Sequence, residues 1–296
     1  MKRNILLIFC LAPLFAFSNG DWTWWNVLHG WEPGMPSWRS FMHITPGYLG
    51  PNALPVPEVK KGVVLPGSNL EVSFDFHFMK GDPTQDIFAK YYRSFAGDKI
   101  AIELYAVLGE HYAFSQEIRD KRVSRDFDGK GTTNGDLYFS TLIQVLKDRK
   151  FPDTMLRMTG RTASGNQLEG ARYSDSPGYF FDLSFSKEYT GRNEKMKFVP
   201  FASGGFYSWQ TNDDLNLQND AYMYGIGADW KWSRWTISNS LSGYSGYKKE
   251  NDRPMVYTFD LNHSLKNKTI RLQYLYGIRD WMYQTIKVSV IVDLKK

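Results

Sequence analysis

The chain has 296 residues, 42% of them hydrophobic, and its 36 basic against 31 acidic residues leave a net charge of +5. Its positive residues are scattered, which argues against a nucleic-acid partner, and a single cysteine, Cys10, excludes a disulfide framework. Beyond the N-terminus no apolar stretch reaches the roughly 20 residues that a spanning helix needs, so crossing a membrane is left to strands.

In chain order, Lys2 and Arg3 precede an apolar run from Ile5 to Phe17, and Ala16, Ser18 and Gly20 offer small residues for cleavage. This pattern predicts an export signal over 1–20, a mature chain starting at Asn19 or Asp21, and a net charge of +3 after removal of the two basic residues. Phe9 is too bulky for a lipoprotein acceptor site at Cys10. Residues 21–68 are set apart by five of the ten tryptophans (Trp22, Trp24, Trp25, Trp31 and Trp38) and then by Pro46, Pro51, Pro55, Pro57 and Pro66. Proline at that density excludes a central strand. Two readings stay open: a segment that folds into a barrel mouth or lies on the membrane face, or an extended leader packed outside the periplasmic rim.

From residue 69 the alternation of side chains has period two. Leu70, Val72, Phe74, Phe76 and Phe78 oppose Glu71, Ser73, Asp75 and His77. Asp82 and Pro83 then resemble an N-cap and a first helical residue, and Ile87, Phe88, Tyr91, Tyr92 and Phe95 recur at helical spacing, so a short helix is expected near 83–95. Strands are expected at 70–79, 99–108, 111–119, 136–147, 154–164, 178–188, 196–209, 221–232, 235–246, 255–266, 269–279 and 283–294, twelve in all. A strand in place of the helix would need another near Trp38 to Ile44, giving fourteen. Short turns at Gly109–Glu110, Asp148–Asp153, Tyr189–Lys195, Ser233–Arg234 and Asn267–Lys268 alternate with longer connections at Asp120–Gly135, Asn166–Pro177, Thr211–Asp220 and Lys248–Pro254. Trp230, Trp232 and Trp235 bracket one short turn, with Tyr222 and Tyr224 at the far end of the strand, as aromatic girdles would. Together these features predict an all-β fold: a transmembrane antiparallel barrel over 69–296 in the outer membrane, with short periplasmic turns and outer-membrane lipid around it.

The polar face carries charge of both signs. Glu71, Asp75, Glu103, Arg157, Arg161, Asp182, Asp229, Asp260, Arg271 and Lys287 share the inward parity and are candidates for lining the lumen. Such charges must pair or face water. They make either a charged conduit, with Arg157 and Arg161 as a basic ladder, or a salt-bridged core that only holds the barrel. Catalytic chemistry is not expected: His263 and Ser264 are adjacent and point to opposite faces, and His29, His43, His77 and His111 are isolated. Asp126, Asp128 and Gly129 open like a calcium loop, but Leu137 stands where its glutamate should be, so no metal and no cofactor are expected.

Gly135-Asp136-Leu137, the turn ending at Pro152, Met158-Thr159-Gly160-Arg161-Thr162-Ala163-Ser164-Gly165 and Gly178-Tyr179-Phe180-Phe181-Asp182-Leu183-Ser184-Phe185-Ser186-Lys187 resemble the strand grammar of outer-membrane transporters associated with the meta-pathway of phenol degradation. The resemblance spans about fifty residues and implies a porin-like channel for a small, often aromatic, solute. The alternative is a structural or scaffolding barrel that binds another envelope component through its outer loops and Trp-rich leader. An open lumen would favour the first, and a lumen filled by residues 21–68 the second.

Overall fold

The computed structural model describes residues 21–147, 150–191 and 195–294. The expected signal peptide with Cys10, and the centres of the turns at 148–149 and 192–194, lie outside the described residues. The chain divides into two units, one ending at Met35 and one starting at Pro36. Within the first, helix α1 (Thr23–His29) stops at Gly30, whose φ of 65° is left-handed and whose N–H donates to the Asn26 carbonyl.

The second unit holds the strands β1 (Ser68–Phe78), β2 (Thr84–Phe95), β3 (Ile100–Ala113), β4 (Lys130–Thr133), β5 (Tyr138–Leu146), β6 (Asp153–Arg161) and β7 (Gly178–Ser186). It continues with β8 (Tyr189–Thr190), β9 (Met196–Asp213), β10 (Asn216–Trp232), β11 (Trp235–Gly246), β12 (Met255–Ser264), β13 (Lys268–Arg279) and β14 (Gln284–Asp293), and a short helix α2 (Gln116–Lys121) lies between β3 and β4. Each long strand pairs antiparallel with its neighbours, and β14 returns to β1 in continuous register from Asn69 opposite Asp293 to Phe78 opposite Gln284. The short β4 and β8 add to β3 and β9, leaving a closed barrel of twelve strands. Closure satisfies every strand edge, which a sheet surrounded by hydrocarbon requires.

The side chains sort as the alternation demands. Phe74 is 56% exposed on the outside, while its neighbours Ser73 and Asp75 are buried within. Ile286, Val288, Val290 and Val292 on β14 and Ile270, Leu272, Tyr276 and Ile278 on β13 likewise point outward, forming the apolar band of an outer-membrane barrel.

Three expectations fail locally. The helix expected near 83–95 is strand β2, paired with β1 on one side and β3 on the other. Its apolar residues looked helical because both faces carry them: Ile87 and Phe95 face out, while Tyr92 turns inward and donates to the Leu65 carbonyl. The turn expected at Gly109–Glu110 is a bulge inside the single strand β3, where Ile87 opposes Gly109 but Phe88 opposes Val107. The extra residue, Leu108, switches the inward set from Ala101 and Glu103 to Glu110 and Tyr112, and a parity switch reads in sequence as a strand end. The two errors cancel in the count, so twelve strands remain; Trp38–Phe41 is a 3₁₀ turn and supplies none. The connection expected over 211–220 is a tight turn between the long strands β9 and β10.

Residues 36–67 run through the lumen. Gly47 N donates to the Asn251 carbonyl and Gly50 N to the Ala171 carbonyl at the end with the long connections. Gly62 N meets Ser184 Oγ, Val64 N meets Gln144 Oε1, and Ser94 N donates to the Gly67 carbonyl at the end with the short turns. The segment therefore enters at the long-loop end and leaves where β1 begins. Its upper half is fixed by burial: Met42, Ile44, Leu49, Ala53 and Leu54 pack on Phe180, Tyr207, Trp209 and Tyr244. Trp209 Nε1 donates to the Ile44 carbonyl at 2.8 Å, Trp281 Nε1 to Pro51 at 2.9 Å and Tyr244 Oη to Leu54 at 2.7 Å. Prolines suit such a path, because an extended chain surrounded by side chains has no sheet neighbour to receive its N–H groups.

Candidate functional site

The lower half of the lumen is an ionic network. Arg271 on β13 binds Asp260 at 2.7 Å and lies 3.5 Å from Glu71, and Lys90 on β2 binds Glu71 at 2.8 Å. Arg157 on β6 binds Asp182 on β7, its register partner, at 2.6 Å. Glu103 and Asp229 find their cations on the threaded segment, Lys60 at 2.6 Å and Lys61 at 2.7 Å. Glu58 of the same segment reaches Arg271 at 2.6 Å, and its carbonyl accepts from Arg157 at 3.0 Å. At this level the carboxylates of the wall, Glu71, Glu103, Asp182, Asp229 and Asp260, outnumber its cations Lys90, Arg157 and Arg271. The lysines of the segment reduce that excess, which is an electrostatic reason for the segment to stay in the lumen.

Higher up, Arg161 binds Asp136 at 3.1 Å, Ser174 Oγ at 2.8 Å and the Ala53 carbonyl at 2.8 Å. Asp75 on β1 pairs with Lys287 on β14 at 2.7 Å. Of the ten residues with inward parity, Glu71, Asp75, Glu103, Arg157, Arg161, Asp182, Asp229, Asp260 and Arg271 are buried, and Lys287 is partly so. Arg157 and Arg161 share a face but not a free charge, because each guanidinium meets its own carboxylate. No unneutralised basic ladder results.

The long connections fold inward over the upper lumen. Arg172, from the connection between β6 and β7, is fully buried and binds Glu110 at 2.8 Å, Asp82 at 2.9 Å and Thr84 Oγ1 at 2.9 Å. Arg122 binds Asp82 at 2.7 Å, and Tyr283 donates to the same carboxylate. Burial alone would raise the Asp82 carboxyl, but the adjacent Arg172 and Arg122 override it and hold the group below its usual range. The loop that resembled a calcium site is closed on itself: Asp126 accepts from Gly129 N and from Tyr112 Oη. His263 packs on Trp235 with the rings tilted and their centroids 4.1 Å apart.

Between the segment and the wall remains a cavity of about 200 Å³, lined by Glu58 and Lys60 of the segment and by Glu71, Lys90, Tyr105 and Arg271 of the strands. It joins charge of both signs to an aromatic surface. Parity places the ten wall residues in the inward set, and that set does not contain Glu58, Lys60, Lys61 or Lys90. The first three lie in a stretch without periodicity, and Lys90 lay within the expected helix.

No family model matches the chain, and no curated protein matches it. Among solved structures, the COG4313 outer membrane channel from Pseudomonas putida F1 is similar in fold, with a TM-score of 0.57 and 10% identity over 80% of this chain and 100% of that one. The KdgM porin in complex with disordered oligogalacturonate aligns with a TM-score of 0.48 and 11% identity over 76% of this chain and 99% of its own. The NanC porin aligns with a TM-score of 0.48 and 12% identity over 76% and 100%. The fold is that of an outer-membrane β-barrel.

Proposed function

We propose that the protein is a porin-like channel for a small solute, with its passage narrowed by the threaded segment. The observation that carries this reading is the cavity between segment and wall, about 200 Å³ in volume and lined by paired charges and aromatic rings. Ion pairs between the segment and the wall, Lys60 with Glu103, Lys61 with Asp229 and Glu58 with Arg271, make the route polar and carry charge of both signs along it. Tyr105, Phe88 and Phe180 on that route suit a solute with an aromatic ring, in keeping with the resemblance of residues 135–187 to transporters associated with phenol degradation. The similarity in fold to an outer membrane channel supports the same reading. None of these steps involves catalysis or a cofactor.

The test is conductance of the purified protein in planar bilayers. Wild type should show small, discrete steps. The double variant Lys60→Gln, Lys61→Gln leaves Glu103 and Asp229 without their cations and should shift the reversal potential in a salt gradient toward cation selectivity. A wild type without any conductance overturns the proposal. That outcome would favour a structural barrel, a reading supported by the dense hydrogen bonding between segment and wall, whose outer loops would hold another envelope component.

A further inference from the structure

Three side chains that looked unrelated in sequence converge on the inner wall near the cavity. Asp75 and His77 stand two apart on β1, and Asp86 on β2 is the register partner of Asp75. All three are buried, and one potential ligand atom from each lies within 4.8 Å of the other two. His77 Nδ1 is 2.7 Å from Thr285 Oγ1, and its Nε2 is 2.7 Å from Asp86 Oδ2, which also accepts from Asn52 Nδ2 at 2.7 Å.

Counting the lysine alone, the charge at this point does not balance; His77, on Asp86 at 2.7 Å, balances it only when protonated. Two carboxylates face each other across one strand pair, and Lys287, on Asp75 Oδ2 at 2.7 Å, is the one ammonium bound to either of them among the described residues. The second oxygens, Asp75 Oδ1 and Asp86 Oδ1, are buried and accept no hydrogen bond from the protein. Buried carboxylate oxygens in that state are costly, and a cation bound between them removes the cost. When Thr285 Oγ1 accepts from Nδ1–H, Nε2 of His77, which contacts Asp86 Oδ2 at 2.7 Å, is the ring nitrogen left to bind a cation, an arrangement in which an outer partner sets the tautomer of a metal-binding imidazole. Asp75, His77, Thr285 and Lys287 also line the cavity, so an ion in the lumen reaches them without opening the wall.

We propose that Asp75, His77 and Asp86 form a binding site for a divalent first-row transition cation of the zinc class. One imidazole and two carboxylates are a borderline-hard donor set, which suits zinc or manganese better than calcium or a thiol-seeking metal, and leaves a coordination position for water. Binding displaces the contact between His77 Nε2 and Asp86 and shares Asp75 with Lys287. The site does not require the barrel to conduct.

The test uses the full-length mature protein, purified in detergent, stripped with a chelator and titrated with zinc chloride by calorimetry. Heat-modifiable gel migration confirms folding of every variant. Wild type should bind one zinc, and His77→Gln, which keeps a side chain able to hydrogen-bond Thr285, should bind it at least about tenfold more weakly. Lys287→Met removes the competing ammonium and should tighten binding. Cobalt loaded in place of zinc should give a visible absorption band in wild type that is absent from His77→Gln. If His77→Gln fails to fold, Asp75→Asn is judged by the same criterion. A wild type that binds no zinc, or zinc binding of equal strength in a folded His77→Gln or Asp75→Asn variant, overturns the proposal.

Discussion

Asp82 shows how much one loop carboxylate can carry. It accepts from Arg172, Arg122 and Tyr283 and ties the loop between β1 and β2 to three others. Its folded pKa is depressed, so the stability it contributes is present above the unfolded value near 3.9 and is lost as pH falls through the folded value. Asp82→Asn should therefore lower stability at pH 7 by about 3 to 5 kcal/mol, because two buried guanidinium groups lose a charged partner. Thermal unfolding of wild type and variant at pH 7 and again below pH 3 checks this. The gap should shrink at the lower pH, and a gap of constant size would show that ion pairing is not its source. Parity shows that Phe74 faces out and Ser73 in, but not that Ser73 and its register partner Ser289 are both fully buried.

At the scale of elements, β1 and β11 to β14 were readable because lipid outside and polar groups inside impose strict alternation. β2 and β3 were not, since β2 carries aromatic rings on both faces and β3 changes parity at its bulge. The threaded segment has no period at all, and its path depends on single positions. Gly62 has φ of +70°, and a Cβ there would run into the Asp153 carbonyl oxygen and lie 2.8 Å from Ser186 N. Left-handed backbone costs a non-glycine residue roughly 1 to 2 kcal/mol before any clash is counted. Gly62→Val should unseat the lower part of the segment while the strands still close. Trypsin should then cut at Lys60 or Lys61 in the variant far faster than in wild type, with heat-modifiable migration retained. Equal protection in the two proteins would mean that the segment tolerates the side chain and is not held there.

At the scale of the whole molecule, the direction of threading determines which end of the segment meets which compartment. Trp38 packs on the upper cluster, and Arg39 binds Asp175 of a long connection at 2.6 Å, while Leu65 lies beside Tyr92 at the other end. With long connections outward, Ser37 belongs to the cell exterior and Leu65 to the periplasm. Cys10 lies within the expected signal, so a single introduced thiol can report on each position. A membrane-impermeant maleimide applied to intact cells should label Ser37→Cys and leave Leu65→Cys unlabelled until the outer membrane is permeabilised. The reverse pattern would invert the orientation.

Period-two alternation was enough to specify the architecture and the facing of most barrel strands. Hydrocarbon on one side and polar groups on the other leave a period-two signature that each strand carries alone, so no knowledge of its neighbours is needed. Whether the inward charges met water or one another was decided only in three dimensions. Lys60 and Glu103 are 43 positions apart, and Lys61 and Asp229 are 168 apart. Such pairs follow from the closure of the barrel and the path of an aperiodic segment through it. The approach of Asp86 to Asp75 and His77 likewise required β2 to be a strand. Local pattern records what surrounds a strand, whereas the contents of the lumen depend on which distant charges balance when the sheet closes.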